Sequence, residues 1–269
     1  MMWSMLITAS LLADPSVSQT DTPPQVKGQL VAVGGGTTLN AVIDRTLELA
    51  GGKSAKVVVV AEANPEYGPG SVSQWKRTEA AEVSLVNPRQ PAAAVKMIDQ
   101  ANLIWMPGGL QGLFMNSIEG TGIADAIRSR YRAGAIIGGT SAGAAVMSKK
   151  MIGGRSDLDS LKAGNAPFLM DGLGLWPEVI VDQHFLQKGR FNRLALAVLE
   201  YPNLVGIGID EETAVFVRGN EFEVMGNGNV TVVDARKASR EKLVKDEPAA
   251  VRDMRIHVLR AGMKYRLEE

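Results

Sequence analysis

Residues 57–61 read Val-Val-Val-Val-Ala, an apolar run with no polar position in it. A strand with one wet face alternates polar and apolar side chains. A strand with none has to be covered on both faces, as an inner strand of a parallel sheet is. Comparable runs recur. Residues 29–33 end in Gly34-Gly35-Gly36, residues 83–86 form another run, residues 103–106 lead into Pro107-Gly108-Gly109, and residues 135–137 lead into Gly138-Gly139. Helical spacing fills the intervals at 40–50, 74–81, 92–101 and 124–132. Strands alternating with helices predict an α/β fold, a mostly parallel sheet flanked by helices and joined by right-handed crossovers.

The second half continues with strands at 178–182 and 204–209 and a helix at 190–201. From residue 213 the pattern becomes alternating, broken at Gly219-Asn220 and Gly226-Asn227-Gly228, which predicts an antiparallel meander. Residues 254–259 and 264–267 read as a terminal strand pair around Ala261-Gly262. No linker separates this β-rich C-terminal part, so residues 25–269 are expected to form a single domain with it on the same sheet. Residues 1–24 read as a leader. Residues 1–13 are apolar and uncharged, too short to span a bilayer, and followed by a polar, Pro-containing stretch, which favours a signal peptide and export to the periplasm or medium over a cytoplasmic location.

Composition narrows the chemistry. Formal net charge is zero and no Lys/Arg cluster stands out, which argues against nucleic acid as a partner. The absence of cysteine removes disulfides, thiolate metal sites and cysteine nucleophiles together. With only two histidines, His184 and His257, a histidine-based metal centre is not expected either. Gly34-Gly35-Gly36-Thr37 is not a nucleotide loop: Leu39 stands where G-x-G-x-x-G needs its third glycine, and no G-K-[ST] closes it.

What remains is G-x-S-x-G. Gly139-Thr140-Ser141-Ala142-Gly143 follows the apolar run at 135–137 and leads into small residues at 142–145. Strand, sharp turn and helix form the context of a nucleophile elbow, which thrusts Ser141 Oγ outward and requires small neighbours. The Ala142 N–H, next after the nucleophile, is placed to hold an oxyanion, and the Gly108-Gly109 pair after another strand offers the second donor through Gly109. Gln111 follows closely and can donate to a substrate.

A serine hydroxyl needs a base. In Met254-Arg255-Ile256-His257-Val258, period two puts His257 with Arg255 on the polar face, facing solvent. His184 stands just past an apolar strand, at the edge of an open α/β sheet where sites gather, and is read as the base. For the carboxylate that orients the imidazole, Asp157, Asp159, Asp182, Asp210 and Glu211 all qualify by type, and spacing does not choose among them. Arg190 and Arg193 lie three apart at the start of the helix after His184 and share a face able to clamp a carboxylate.

Taken together, Gly139-Thr140-Ser141-Ala142-Gly143-Ala144, Pro107-Gly108-Gly109-Leu110-Gln111, Asp182-Gln183-His184-Phe185, Gly189-Arg190, Arg193-Leu194 and Gly206-Ile207-Gly208-Ile209-Asp210-Glu211 resemble the cyanophycinase family, related to the peptidase E (aspartyl dipeptidase) serine peptidases. The resemblance runs in order from about residue 29 to the C-terminus. It implies a fold like that of class I glutamine amidotransferases, Ser141 as nucleophile, His184 as base and an acidic third member some way after the serine. Asp159 fits that position without a gap, and Asp157 with a shift of one or two residues. It implies substrate contacts at Gln111, Asp182, Gln183, Arg190 and Arg193, and attack on a β-aspartyl amide carbonyl without metal or cofactor. The expected substrates are cyanophycin, giving β-Asp-Arg dipeptides, or small aspartyl and isoaspartyl peptides. A non-catalytic binding relative is the remaining alternative. No membrane partner is expected, and the reading allows a homodimer.

Overall fold

The computed structural model describes residues 26–153, 160–162 and 169–267. The first half runs β1 (Gln29–Val33), α1 (Asn40–Leu49), β2 (Lys56–Val59), α2 (Tyr67–Lys76), β3 (Glu82–Leu85), α3 (Pro91–Gln100), β4 (Leu103–Met106), α4 (Gln111–Ile118), α5 (Ile123–Ala133), β5 (Ile136–Thr140) and the single turn α6 (Ala142–Ala145). There follow β6 (Lys150–Ile152), β7 (Leu169–Asp171), β8 (Val179–Gln183), α7 (Phe191–Glu200), β9 (Val205–Ile209), β10 (Thr213–Arg218), β11 (Glu221–Gly226) and β12 (Val230–Asp234). The chain closes with β13 (Ser239–Arg240), β14 (Val251–Arg252), β15 (Arg255–Leu259) and β16 (Lys264–Arg266).

The main sheet has eight strands in the order β16-β11-β10-β1-β5-β4-β2-β3. From β1 to β3 every pairing is parallel, and β10, β11 and β16 extend it antiparallel. The apolar runs behave as inner strands should. Leu30, Ala32, Val58 and Val60 pack into one core, with Ile104, Phe114 and Ile127. Val31, Val33, Val57 and Val59 pack into the opposite one, with Trp75 and Trp105. Each fully buried valine contributes about 1.5–3 kcal/mol, so neither face of these strands tolerates a polar residue. A second, four-stranded sheet runs β15-β12-β9-β8, its face covered by α7 through Ile180, Leu194, Val198 and Val233. Among the described residues, no helix is long and apolar enough to cross a membrane.

The structure departs from the sequence expectations in five places. Helix α2 begins at Tyr67, earlier than expected, because Gly68-Pro69-Gly70 occupies its first turn, where proline's missing N–H is not needed. Helix α4 is an addition: Phe114 and Ile118, four apart, bury one side of a short segment that carries little other helical signal. The predicted meander stops after one hairpin. Strand β11 pairs with β10, but β12 crosses to the second sheet and pairs with β9 and β15. The terminal pair likewise separates, β15 onto β12 and β16 onto β11. The face assigned to His257 is consequently reversed. Its ring turns inward, with its centroid 5.2 Å from that of Tyr265, whereas Ile256 and Val258 are exposed.

Candidate active site

Strand β5 ends at Thr140 and the chain turns abruptly. Ser141 has φ 54° and ψ −116°, a conformation that costs a non-glycine residue about 1–3 kcal/mol unless its surroundings enforce it. They do. The Ser141 N–H donates to the Val33 carbonyl on β1 at 2.9 Å, and the Ser141 carbonyl accepts from the Ala144 and Ala145 N–H groups at 3.0 and 3.1 Å. The flanking glycines are where backbone meets backbone: a Cβ on Gly139 would lie 2.5 Å from the Gly143 carbonyl oxygen, and one on Gly143 only 1.9 Å from that of Met106. Five non-glycine residues among those described have positive φ, and three of them, Ser141, His184 and Glu212, cluster here, so the strain marks this site.

Ser141 Oγ lies 2.8 Å from His184 Nε2, and His184 Nδ1 lies 2.5 Å from Glu211 Oε1. With Glu211 ionised, Nδ1–H donates to it, and the free Nε2 lone pair accepts the serine O–H. Burial lowers the His184 pKa below its usual 6.5. The Glu211 carboxylate opposes that shift, and the positive charges of Lys188 and Arg190 reinforce it. The imidazole is therefore neutral, and able to take a proton, at neutral pH.

The other acids offered by the sequence fall into place. Asp210 serves the backbone, accepting the Leu186 and Asn229 N–H groups at 3.0 Å each. Asp182 is taken by Arg193, whose guanidinium grips it at both oxygens. Asp157 and Asp159 lie outside the described residues. The carboxylate that meets the imidazole is Glu211, in the turn between β9 and β10.

The Pro107-Gly108-Gly109 turn lies against the nucleophile. A Cβ on Gly108 would be 3.4 Å from Ser141 Cβ. Gly109, at φ 137°, abuts the Ala63 backbone, and the next N–H, of Leu110, is tied to the Ala63 carbonyl at 2.8 Å. Among the described residues, neither the Gly109 nor the Ala142 N–H has a protein acceptor, which leaves both for an incoming oxygen.

A cleft of about 610 Å³ opens beside Ser141 and His184. Thr37 and Thr38 form one wall, Tyr67, Ser71 and Gln74 of α2 another, and Lys188 supplies an ammonium. None of Gln111, Asp182, Gln183, Arg190 and Arg193 lines it. The Asp182–Arg193 pair is buried, at 1% and 2% side-chain exposure, so the expectation that Arg193 clamps a substrate carboxylate is corrected: its charge is already neutralised where no ligand reaches. Gln111 donates its amide to the Ile152 carbonyl. Arg190 donates to the carbonyl and Oε1 of Gln183 at 2.5 and 2.7 Å. Gln183 is the one member of the group that reaches the nucleophile, with Oε1 3.4 Å from Ser141 Oγ. Sequence reasoning missed the cleft walls, since nothing in the spacing ties α2 to Ser141. It also dismissed the triple glycine as a phosphate loop without asking what else a glycine run at a strand end can serve.

The chain matches the model of Peptidase family S51 over residues 30–225, a span that holds Ser141, His184 and Glu211. It is 35% identical over 237 residues to the cyanophycinase of Geminocystis herdmanii, covering 83% of this chain and 87% of that one. It is 32% identical over 267 residues to the cyanophycinase of Trichormus variabilis, covering 91% and 88%. The crystal structure of a peptidase from an acI-B1 actinobacterium superposes with a TM-score of 0.64 at 20% identity over 91% of this chain and 98% of that one, a shared fold. Family, relatives and the hydroxyl–imidazole contact agree on the class of chemistry: the chain belongs to peptidase family S51 and is a serine-type peptidase.

Proposed function

We propose that this peptidase degrades cyanophycin to β-Asp-Arg dipeptides with Ser141, His184 and Glu211 as its triad. The observation that carries the reading is the continuous Ser141–His184–Glu211 chain of contacts, at 2.8 and 2.5 Å. The names of the relatives support the substrate. For a β-Asp-Arg dipeptide to leave intact, its β-aspartyl link must survive. The bond cut is therefore the main-chain amide beside the β-linked residue, not the β-aspartyl amide that the resemblance implied.

His184 Nε2 takes the Ser141 proton as Oγ attacks that carbonyl, and the oxyanion is held by the Gly109 and Ala142 N–H groups. The C–N bond breaks as His184 returns the proton to the leaving amine, and an acyl-serine remains. Water, deprotonated by the same nitrogen, attacks the ester and frees the acid and Ser141. Glu211 keeps the proton on Nδ1 throughout and stabilises the imidazolium. Thr38, Ser71, Gln74 and Lys188 supply hydrogen bonds and one positive charge to the bound chain, which carries a free carboxylate on every arginine.

The purified chain incubated with cyanophycin, and separately with aspartyl and isoaspartyl dipeptides, tests this by mass spectrometry of the products. β-Asp-Arg from the polymer, lost in Ser141→Ala, is the expected result. An untouched polymer, or equal turnover by Ser141→Ala, refutes it, and cleavage of dipeptides alone makes the enzyme a small-peptide peptidase. The apolar stretch at residues 1–13 supports export, with residues 25–269 as the folded domain. Fractionation of expressing cells tests that location.

A further inference from the structure

The turn after β1, Val33 with the triple glycine, has no part in the mechanism above, yet it contacts Ser141, His184 and the Glu211–Glu212 turn. Three consecutive carbonyls do so in order. Val33 accepts the N–H of Ser141 at 2.9 Å, Gly34 that of His184 at 2.6 Å, and Gly35 that of Glu212, next to Glu211, at 2.9 Å. The three recipients come from turns far apart in the chain, after β5, after β8 and after β9. Side chains are excluded at the same place. A Cβ on Gly35 would lie 2.2 Å from His184 Cε1 and 2.5 Å from Nε2, so the bare α-carbon is the surface against which the imidazole ring rests. A Cβ on Gly34 would lie 2.1 Å from the Asp210 carbonyl oxygen, and one on Gly36 3.1 Å from Glu211 Cβ.

We propose that Val33-Gly34-Gly35 is the template that sets the relative register of Ser141, His184 and Glu211, and that Gly35 is the positioning residue for the imidazole plane. This rests on the serine-triad reading above. Gly35 and Gly36 also line the cleft, but they offer a substrate no side chain, so the turn's main effect falls on proton transfer. A methyl group at residue 35 displaces the ring from Ser141 Oγ while leaving the cleft wall of α2 and Lys188 intact. Misplacement by about 1 Å costs about 100-fold in turnover.

The experiment compares the wild type, Gly35→Ala, Gly36→Ala and Gly262→Ala. Gly262 is the strain control, since it also has positive φ, at 84°, but a Cβ there meets nothing within 4 Å. Each folded variant is assayed for kcat and KM across pH and for labelling by a fluorophosphonate serine probe. Wild-type labelling that disappears in Ser141→Ala establishes the triad first, and its absence would overturn that reading and the template with it. Gly35→Ala is expected to lose about 100-fold in kcat and in labelling rate with KM within about threefold, whereas Gly262→Ala keeps both. Gly36→Ala, whose added Cβ meets Glu211 first, is expected to lose about tenfold in kcat and to move the acid limb of the pH profile. It stands as the deciding variant should Gly35→Ala fail to fold. Gly35→Ala labelling at the wild-type rate, a loss confined to KM, or an unmoved pH profile and kcat in Gly36→Ala would each overturn the proposal.

Discussion

Glu211→Gln is the most informative substitution. It keeps the shape of the side chain and removes the charge that holds His184 Nδ1–H. The amide then faces Nδ1 either with its oxygen, a weaker acceptor, or with its NH₂, which favours the tautomer that leaves Nε2 protonated and unable to take the serine proton. Loss of the orienting carboxylate in a buried triad costs about 10⁴-fold in kcat, about 5.4 kcal/mol at 1.36 kcal/mol per decade. Glu211 is 36% exposed, so water partly compensates and the expected loss is smaller, about 10³-fold or 4 kcal/mol. Dipeptide release from cyanophycin, followed by mass spectrometry at saturating polymer, reads it, with KM expected to change little. Because Glu211 opposes the lowering of the His184 pKa, the residual activity should have its acid limb at lower pH than the wild type. Asp157→Asn and Asp159→Asn are the comparators and should retain wild-type kcat. If Glu211→Gln keeps more than about a tenth of the activity while either aspartate variant loses more than that, the assignment of the third member is wrong.

Other consequences are as direct. Lys188 pushes the His184 pKa down, so Lys188→Gln should move the acid limb of kcat/KM to higher pH, and an unmoved limb would deny its electrostatic reach to the imidazole. Wild-type activity should persist below pH 6.5, the ordinary histidine value from which His184 is depressed, and fall only on further acidification. Asp182→Ala strands the Arg193 guanidinium in the interior, which costs about 3–5 kcal/mol and lowers Tm by about 10 °C, as calorimetry would register. An unchanged Tm with a raised KM would return the pair to substrate binding. Ser71→Ala combined with Gln74→Ala should raise KM about tenfold at constant kcat, and an unaltered KM would remove α2 from the binding surface.

The parallel half of the fold was legible because a strand buried on both faces leaves no polar position to misread, as in residues 57–61. The elbow was legible for a related reason: backbone crowding at Gly139 and Gly143 forces glycine, and those glycines frame Ser141 in the sequence. His184 followed by elimination from two histidines. Glu211 did not follow, because an acid acts on an imidazole through space, and nothing local separates Glu211 from Asp210 beside it. Asp210 turned out to cap backbone N–H groups, a role any short acid can fill. Arg193 misled for a similar reason. A helix face shared by Arg190 and Arg193 says nothing about whether an aspartate is already buried against one of them. Strands β12 and β15 escaped because alternation reports which side of a strand is covered and is silent about which sheet covers it.

Ser141 hangs from the eight-stranded sheet, while His184 and Glu211 hang from turns that leave the four-stranded one. The reacting atoms therefore straddle a joint between two plates rather than sitting on one. A slip of the plates has to strain the hydrogen bonds that the β1 turn makes to Ser141, His184 and Glu212, and whatever those bonds do not absorb opens the gap that a proton has to cross. Heating or pressurising the enzyme should silence it before either plate melts, and substitutions along the joint, remote from the cleft, should tune its speed in both directions.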